Sequence, residues 1–304
     1  MTKLAIAVLV AASLFGAERT VEPTFLHRYV PDLAAKPADV STDTCHYTPV
    51  FGAGDSLTSI VKGVARYGEM LVAAQGACAE VTYPAEEQVY VILEGTGVLS
   101  YGPERVPIRT NDFMYLPAGV RHGVSNPSDR PCRVLVMGFK IPAGTKTTPP
   151  PRLLLANLDD VKKQTVEGHP PSVLYQLMMG DRKSTRDKLA AGYTLTSLFI
   201  MEFAPGGTNF PHHHETEEEI YLVLEGRGEI VAGGGMDGVE GRHPAQAGDA
   251  YFFRLNCTVG FYNTNEPGAK TRILAVRSLF PGAGRCGGLR PPHALGAHRA
   301  PLQQ

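Results

Sequence analysis

Residues 206–228 read GGTNFPHHHETEEEIYLVLEGRG, and the last ten of them, EIYLVLEGRG (219–228), echo an earlier run, QVYVILEGTG (88–97). The two runs share Tyr90/Tyr221, Leu93/Leu224, Glu94/Glu225, Gly95/Gly226 and Gly97/Gly228 at an offset of 219 − 88 = 131. Downstream, Asn111-Asp112 corresponds to Gly248-Asp249, and Asn126 to Asn263 at an offset of 263 − 126 = 137. The six additional residues of the later copy fall in the glycine-rich stretch 232–241, AGGGMDGVEG, which reads as an enlarged hairpin loop. Matching blocks at near-constant spacing mean a duplicated unit.

Both copies read as strands. β-Branched and aromatic runs at 88–93, 98–101, 113–116 and 134–139, then at 195–203, 220–224, 229–232, 250–253 and 272–276, are separated by Gly, Pro and Asn. Many short strands at this spacing predict an all-β fold of two closed barrels or jelly rolls in tandem. The stretch 141–151, IPAGTKTTPPP, interrupts the pattern and marks the junction. Beyond it, 153–166 and 171–179 read as a helical or irregular connector.

The histidine-rich part of the opening stretch carries the chemistry. On an extended strand His212 and His214 point to one face, and His213 points away from it. Glu219 follows five residues after His214, far enough for a turn to return its carboxylate to the pair. Two imidazoles and a carboxylate converging from one side can hold a divalent transition metal and leave other coordination positions open. Glu215, Glu217 and Glu218 read as a solvated acidic turn, with a hydrogen bond from one of them to a ligand imidazole as the alternative, and Tyr251, Phe253 and Phe261 as barrel core.

These residues resemble the cupin superfamily. Gly206, five residues, His212-x-His214, four residues, Glu219, six residues and Gly226 fit the first cupin signature without adjustment. The second signature is a Gly, five residues, Pro-x-Gly, two residues, His, three residues and Asn. The N-terminal copy fits it from Pro117 through Gly119 and His122 to Asn126, with Asn111 in place of the leading Gly. The C-terminal copy keeps Gly248 and Asn263 but carries Arg254, Asn256 and Val259 where Pro, Gly and His belong. The chain is thus similar to a bicupin, an all-β protein of two double-stranded β-helix (jelly-roll) barrels in tandem.

The resemblance implies a metal held by His212, His214 and Glu219 in the C-terminal barrel, without the fourth ligand. In the N-terminal barrel the first-signature positions hold Val81, Tyr83 and Gln88, and His122 alone survives. It is expected to line the barrel or touch substrate. Arg254 and Asn256 are candidate substrate contacts at the site mouth, with a remodelled turn as the alternative. Cys257, two residues before Val259, is a candidate replacement ligand or a small core residue. The donor set favours Mn2+ or Fe2+, while Zn2+, Ni2+ and Cu2+ also suit imidazole and carboxylate.

The corresponding organisation is a signal peptide at 1–17, an N-terminal extension at 18–59, the N-terminal barrel at 60–140, a connector at 141–190, the C-terminal barrel at 191–281 and a loose tail at 282–304. Lys3 followed by LAIAVLVAASLFGA (4–17) matches an export leader and is short for a membrane span, which places the mature protein in the periplasm or outside the cell. A buried N-terminal helix or an uncleaved anchor are the other readings. Five cysteines allow a disulfide and leave an odd thiol.

A net charge of −1 excludes the electrostatic footprint of a nucleic-acid or anionic-membrane binder and leaves a small molecule as the expected partner. Homo-oligomerisation is compatible with such barrels. Three function readings follow: a metal-dependent, dioxygenase-like enzyme; a non-catalytic protein capturing a metal or small ligand; and a Mn2+-dependent hydrolase similar to ureidoglycine aminohydrolase. The third fits least well, because that family supplies a Gln ligand where Val259 stands.

Overall fold

The computed structural model describes residues 23–56, 59–234, 240–265 and 268–282. The leader at 1–17, the tail beyond residue 282, Cys286 and the tip of the 232–241 hairpin lie outside the described residues. Among the described residues there are four β-sheets, two short 3-10 turns and no α-helix.

Each half of the chain forms one large and one four-stranded sheet. In the N-terminal half the large sheet runs Leu154–Asn157, Asp112–Leu116, Glu86–Glu94, Cys132–Lys140, Val64–Val72, Cys45–Gly52. Its small sheet runs Gly76–Ala77, His122–Asn126, Thr96–Tyr101, Glu104–Arg109. The C-terminal half repeats the scheme. Its large sheet runs Phe25–Tyr29, Asp249–Phe253, Glu217–Glu225, Thr271–Leu279, Leu195–Phe203, Val173–Asp181, Lys163–Gln164, with Leu189–Gly192 parallel to Val173–Asp181. Its small sheet runs His212–His213, Thr258–Tyr262, Arg227–Gly233, Glu240–Gln246.

The connector is strand, not helix. Val173–Asp181 occupies in the second large sheet the place that Cys45–Gly52 occupies in the first, so each repeat begins earlier than 60 and 191. Leu, Met and Gln in LYQLMM favour helix intrinsically, but pairing with Leu195–Phe203 overrides that weak preference. Pro49 hides the equivalent strand in the first repeat; it is tolerated there because the strand is an edge and shifts register at 49–51. One edge strand crosses between the halves of the chain. Phe25–Tyr29, which precedes the first barrel, pairs with Asp249–Phe253 of the second, while Leu154–Asn157 stays with the first.

Strand alternation sorts three cores. Tyr90 and Ile92 face the interior of the first barrel, and Tyr221 and Val223 that of the second. The intervening Val89, Val91, Ile220 and Leu222 share a third core between the two large sheets, where the Phe51 and Phe252 rings lie 5.9 Å apart. Strands buried on both faces read as continuous apolar runs, which accounts for YVIL and IYLVL.

A reciprocal pair of carboxylates closes this interface. Glu87 accepts the backbone N–H groups of Tyr193 (2.7 Å), Thr194 (2.6 Å) and Leu195 (2.6 Å) and the Tyr115 hydroxyl (2.8 Å). Glu218 accepts those of Lys62 (2.8 Å), Gly63 (2.6 Å) and Val64 (3.3 Å). Both pairs keep the offset of the repeat, since 218 − 87 and 193 − 62 are each 131. Gly63 permits the close approach: a Cβ there would stand 2.9 Å from Glu218 Oε2 and 2.7 Å from the Leu279 carbonyl oxygen. Glu218 is therefore no part of a solvated turn. It is buried, as is Glu87.

Removing the Glu87 carboxylate would leave three backbone donors without an acceptor, at about 1–3 kcal/mol for each buried group. Glu87→Ala is expected to lower the unfolding free energy by at least about 3 kcal/mol in denaturant titration, with Glu87→Gln retaining part of the loss.

Candidate metal centre

The segment carrying the histidines is pinned before it reaches them. The turn 204–207 closes with the Gly207 N–H donating to the Ala204 carbonyl at 2.8 Å. Asn209 then clips the segment to the barrel wall, its Oδ1 accepting the Phe261 N–H (2.9 Å) and its Nδ2 donating to the Tyr221 hydroxyl (3.0 Å). Phe210 is exposed and adopts φ 54°, a backbone conformation that bulky residues rarely take. Such strain is held where surrounding contacts over-determine it.

His212 and His213 pair with Val259 and Thr258. His213 points outward as expected, with its side chain 59% exposed. His212 Nδ1 lies 2.9 Å from the Phe210 carbonyl oxygen, so this nitrogen carries the proton and Nε2 keeps its lone pair. His214 Nε2 is 3.0 Å from Glu219 Oε2, and its Nδ1 is 3.7 Å from Glu217 Oε2. Donor atoms of His212, His214 and Glu219 lie within 4.8 Å of one another. An ion with bonds of about 2.0–2.2 Å needs its ligand atoms within about 4.4 Å, so the set closes with a shift of a few tenths of an ångström.

The protonation states suit a cation. Burial lowers His212 from its ordinary value of 6.5 and outweighs the opposing pull of Glu219, so the imidazole is neutral at pH 7. Burial works to raise Glu219, but the His214 imidazole beside it, with Arg277 and His212, outweighs burial and holds the carboxyl below its usual range. His212 thus presents neutral nitrogen and Glu219 ionised oxygen, the forms a metal requires.

A cavity of about 220 Å³ opens beside His212. Tyr175, from the connector strand, lines it with a buried hydroxyl that has no hydrogen-bond partner. Arg277 lines it too, paired with Glu217 at 3.3 Å, while its buried Nε makes no hydrogen bond and lies 3.9 Å from Glu219 Oε1. Arg186, His169, Asn209 and the carboxylate of Glu167 also belong to the polar wall. The His169 ring lies 5.8 Å from that of His212. Sequence reasoning missed His169, Tyr175, Arg186 and Arg277. The first three sit in or next to a segment read as helical or irregular, and no short-range spacing links any of them to the histidine pair.

Arg254 and Asn256 do not line the cavity. They build a turn in which the Cys257 N–H donates to the Arg254 carbonyl (3.0 Å) and the Asn256 N–H to that of His214 (2.9 Å), with Asn256 at φ 58°. Cys257 is buried among the core residues of the barrel, its Sγ 3.4 Å from the Gly233 nitrogen and 3.2 Å from the Thr258 carbonyl, and it lies outside the three-residue donor cluster.

The two barrels divide one inheritance position by position. Val81 bridges His122 in the first barrel as His212 pairs with Val259 in the second. His122 is buried, its Nδ1 2.9 Å from the Val120 carbonyl and its Nε2 3.4 Å from Gln88 Oε1, between the rings of Tyr83 and Tyr90. Arg66 covers that end, bonded to Tyr83, Asp39 and Glu86. His122 lines the buried interior of the first barrel among these side chains.

The cupin domain family matches the chain twice, at residues 68–138 and 199–276. Solved structures with the same fold include a protein described as glyoxylate-induced from Pseudomonas aeruginosa, with a TM-score of 0.66 and 16% identity over 88% of this chain and 92% of that one. Oxalate decarboxylase from Lactobacillus farciminis matches with a TM-score of 0.62 and 15% identity, over 87% of this chain and 88% of its own. Oxalate decarboxylase from Bacillus subtilis, described with Mn(II) centres, matches at 0.60 and 12% identity, over 86% of this chain and 78% of its own. No curated protein matches the chain by sequence.

Because burial lowers His212 from 6.5, and the neighbouring His214, Arg277 and His212 hold Glu219 below its usual range, neither adds proton competition near pH 7. On their account, Mn2+ affinity measured by calorimetry is expected to vary little between about pH 7 and 8 and to fall only in the more acidic range, below 6.5, where the lowered His212 takes up its proton.

Proposed function

The chain is a bicupin, with a cupin domain in each half, and we propose that its C-terminal barrel is a divalent-metal centre acting on a small oxyanion-bearing molecule. The observation that carries this reading is the convergence of His212, His214 and Glu219 beside a cavity whose wall holds an unpartnered hydroxyl and a guanidinium. Mn2+ or Fe2+ is the favoured occupant. The donor set accepts either, and the Bacillus subtilis oxalate decarboxylase of similar fold is described with Mn(II).

A bound metal would supply Lewis acidity and open coordination positions for chelating oxygen atoms. The remaining work falls to the chain. Arg277 is placed to orient a carboxylate, since a guanidinium donates in a planar fork. Tyr175 offers a hydroxyl proton into the cavity. Phe199, Met201 and Leu177 form apolar wall and limit water. At about 220 Å³ the cavity lies below the roughly 300–1,000 Å³ of sites for drug-sized ligands, which favours substrates of oxalate to catechol size over a flavonol.

A dioxygenase-like reaction is the finer reading, because three protein ligands leave room for both a chelating substrate and oxygen. The test is to load metal-depleted protein with Mn2+ or Fe2+ under nitrogen, then follow oxygen uptake and carbon dioxide release with oxalate, glyoxylate, catechol and gentisate. Metal-dependent turnover lost by at least about a hundredfold in His214→Ala is expected. Metal and ligand binding without turnover would make the protein a capture module. If His214→Ala changes neither metal content nor stability, the metal reading fails.

Export fits a disulfide joining Cys45 and Cys78, whose Cα atoms are 5.0 Å apart, because such bonds persist in oxidising compartments. Cell fractionation is expected to place the oxidised protein outside the cytoplasm, with a mature N-terminus beyond the 4–17 apolar run.

A further inference from the structure

The second-signature position that should carry the fourth ligand holds Val259, buried directly opposite His212. We infer that the missing ligand is supplied from outside the barrel motif, by His169 of the connector loop. The inference rests on the metal reading of this site and extends it to a fourth protein donor, which leaves two open positions on a six-coordinate ion in place of the three that the dioxygenase-like reading uses.

Three observations carry it. The first is placement. His169 lies in the loop between Lys163–Gln164 and Val173–Asp181, where its N–H donates to the Val166 carbonyl (3.1 Å) and the Val173 N–H closes on Pro170 (3.2 Å). The loop is tied to the metal segment itself, because the Ala204 N–H donates to the Ser172 carbonyl at 2.9 Å. That bond holds the His169 loop beside the turn that leads into the metal segment.

The second is separation. A coordinated imidazole centroid stands about 3.2 Å from the ion, so two such rings are about 4.5 Å apart at a right angle and about 6.4 Å apart when opposed. His212 and His214 are 5.0 Å apart, and His169 and His212 are 5.8 Å apart. Both fall inside that interval. The donor atoms of His169 stand outside the tight three-residue cluster, so coordination requires its ring to shift toward His214 and Glu219.

The third is orientation. His169 Nδ1 faces the Asn209 carbonyl oxygen at 3.4 Å, as His212 Nδ1 faces that of Phe210 at 2.9 Å and His214 Nδ1 faces Glu217 at 3.7 Å. Metal-binding histidines direct the non-ligating nitrogen at such an acceptor, which leaves the other lone pair for the ion. His169 and His212 share this arrangement through backbone carbonyls, whereas the 3.7 Å separation of His214 Nδ1 from Glu217 is an ion-pair distance. His122 in the first barrel makes the same backbone bond, to the Val120 carbonyl at 2.9 Å, but its second nitrogen faces the neutral Gln88 amide at 3.4 Å and, among the described residues, no further imidazole or carboxylate donor set.

The test titrates Mn2+ into metal-depleted full-length protein and counts coordinated imidazole nitrogens by pulsed electron paramagnetic resonance. Wild type is expected to show three imidazoles, and His169→Ala two, with affinity weakened at least about tenfold. His213→Ala, which removes an exposed ring from the same stretch, is the folding and charge control and is expected to match wild type. Two imidazoles in wild type and unchanged affinity in His169→Ala would overturn the inference while leaving the three-ligand centre standing. Absence of Mn2+ binding in wild type, or binding untouched by His214→Ala, would remove the metal reading itself and this inference with it.

Discussion

Glu87 and Glu218 each reach out of one barrel and accept three consecutive backbone N–H groups of the other, and this exchange fixes how the two halves meet. A buried carboxylate is costly unless donors surround it, and a buried run of backbone donors is costly without an acceptor. Each satisfies the other here. The apolar core between the large sheets supplies attraction without direction. The carboxylates supply the register, and they do so twice, about an approximate twofold relation set by the duplication.

That register reaches the candidate metal centre through one peptide bond. Successive side chains of a strand point to opposite faces, so Glu218 locks the interface while Glu219 enters the barrel. A slip of one residue would exchange the two. The placement of the carboxylate donor beside His214 is therefore tied to the docking of the barrels. Arg277 is bound into the same arrangement, bridging Glu217 and Glu219 from the neighbouring strand.

The two repeats have diverged by complementary loss. The first keeps the second-signature histidine but fills its barrel with Tyr83, Tyr90 and Gln88 under an Arg66 cover. The second keeps the first-signature triad and leaves a cavity beside it. Divergence of this kind lets one half serve as a rigid partner while the other retains an open side. The connector also became part of the site, since the strand that carries Tyr175 and the loop that carries His169 both belong to it.

Much of this was legible in the chain. The echo of 88–97 in 219–228 and the spacing of His212, His214 and Glu219 are local patterns, and local patterns survive in one dimension because strand periodicity maps spacing directly onto faces. They determined two all-β repeats, the second of them with a metal-type donor set. The strands at 45–52 and 173–181 were not legible, because edge placement and tertiary pairing overrode proline and helix preference. Nor were the burial of Glu218, the turn built by Arg254 and Asn256, or the approach of His169, Tyr175 and Arg277. Those depend on contacts between segments dozens of residues apart, formed only when the sheets close and stack, and no spacing along a chain encodes where such distant groups will meet.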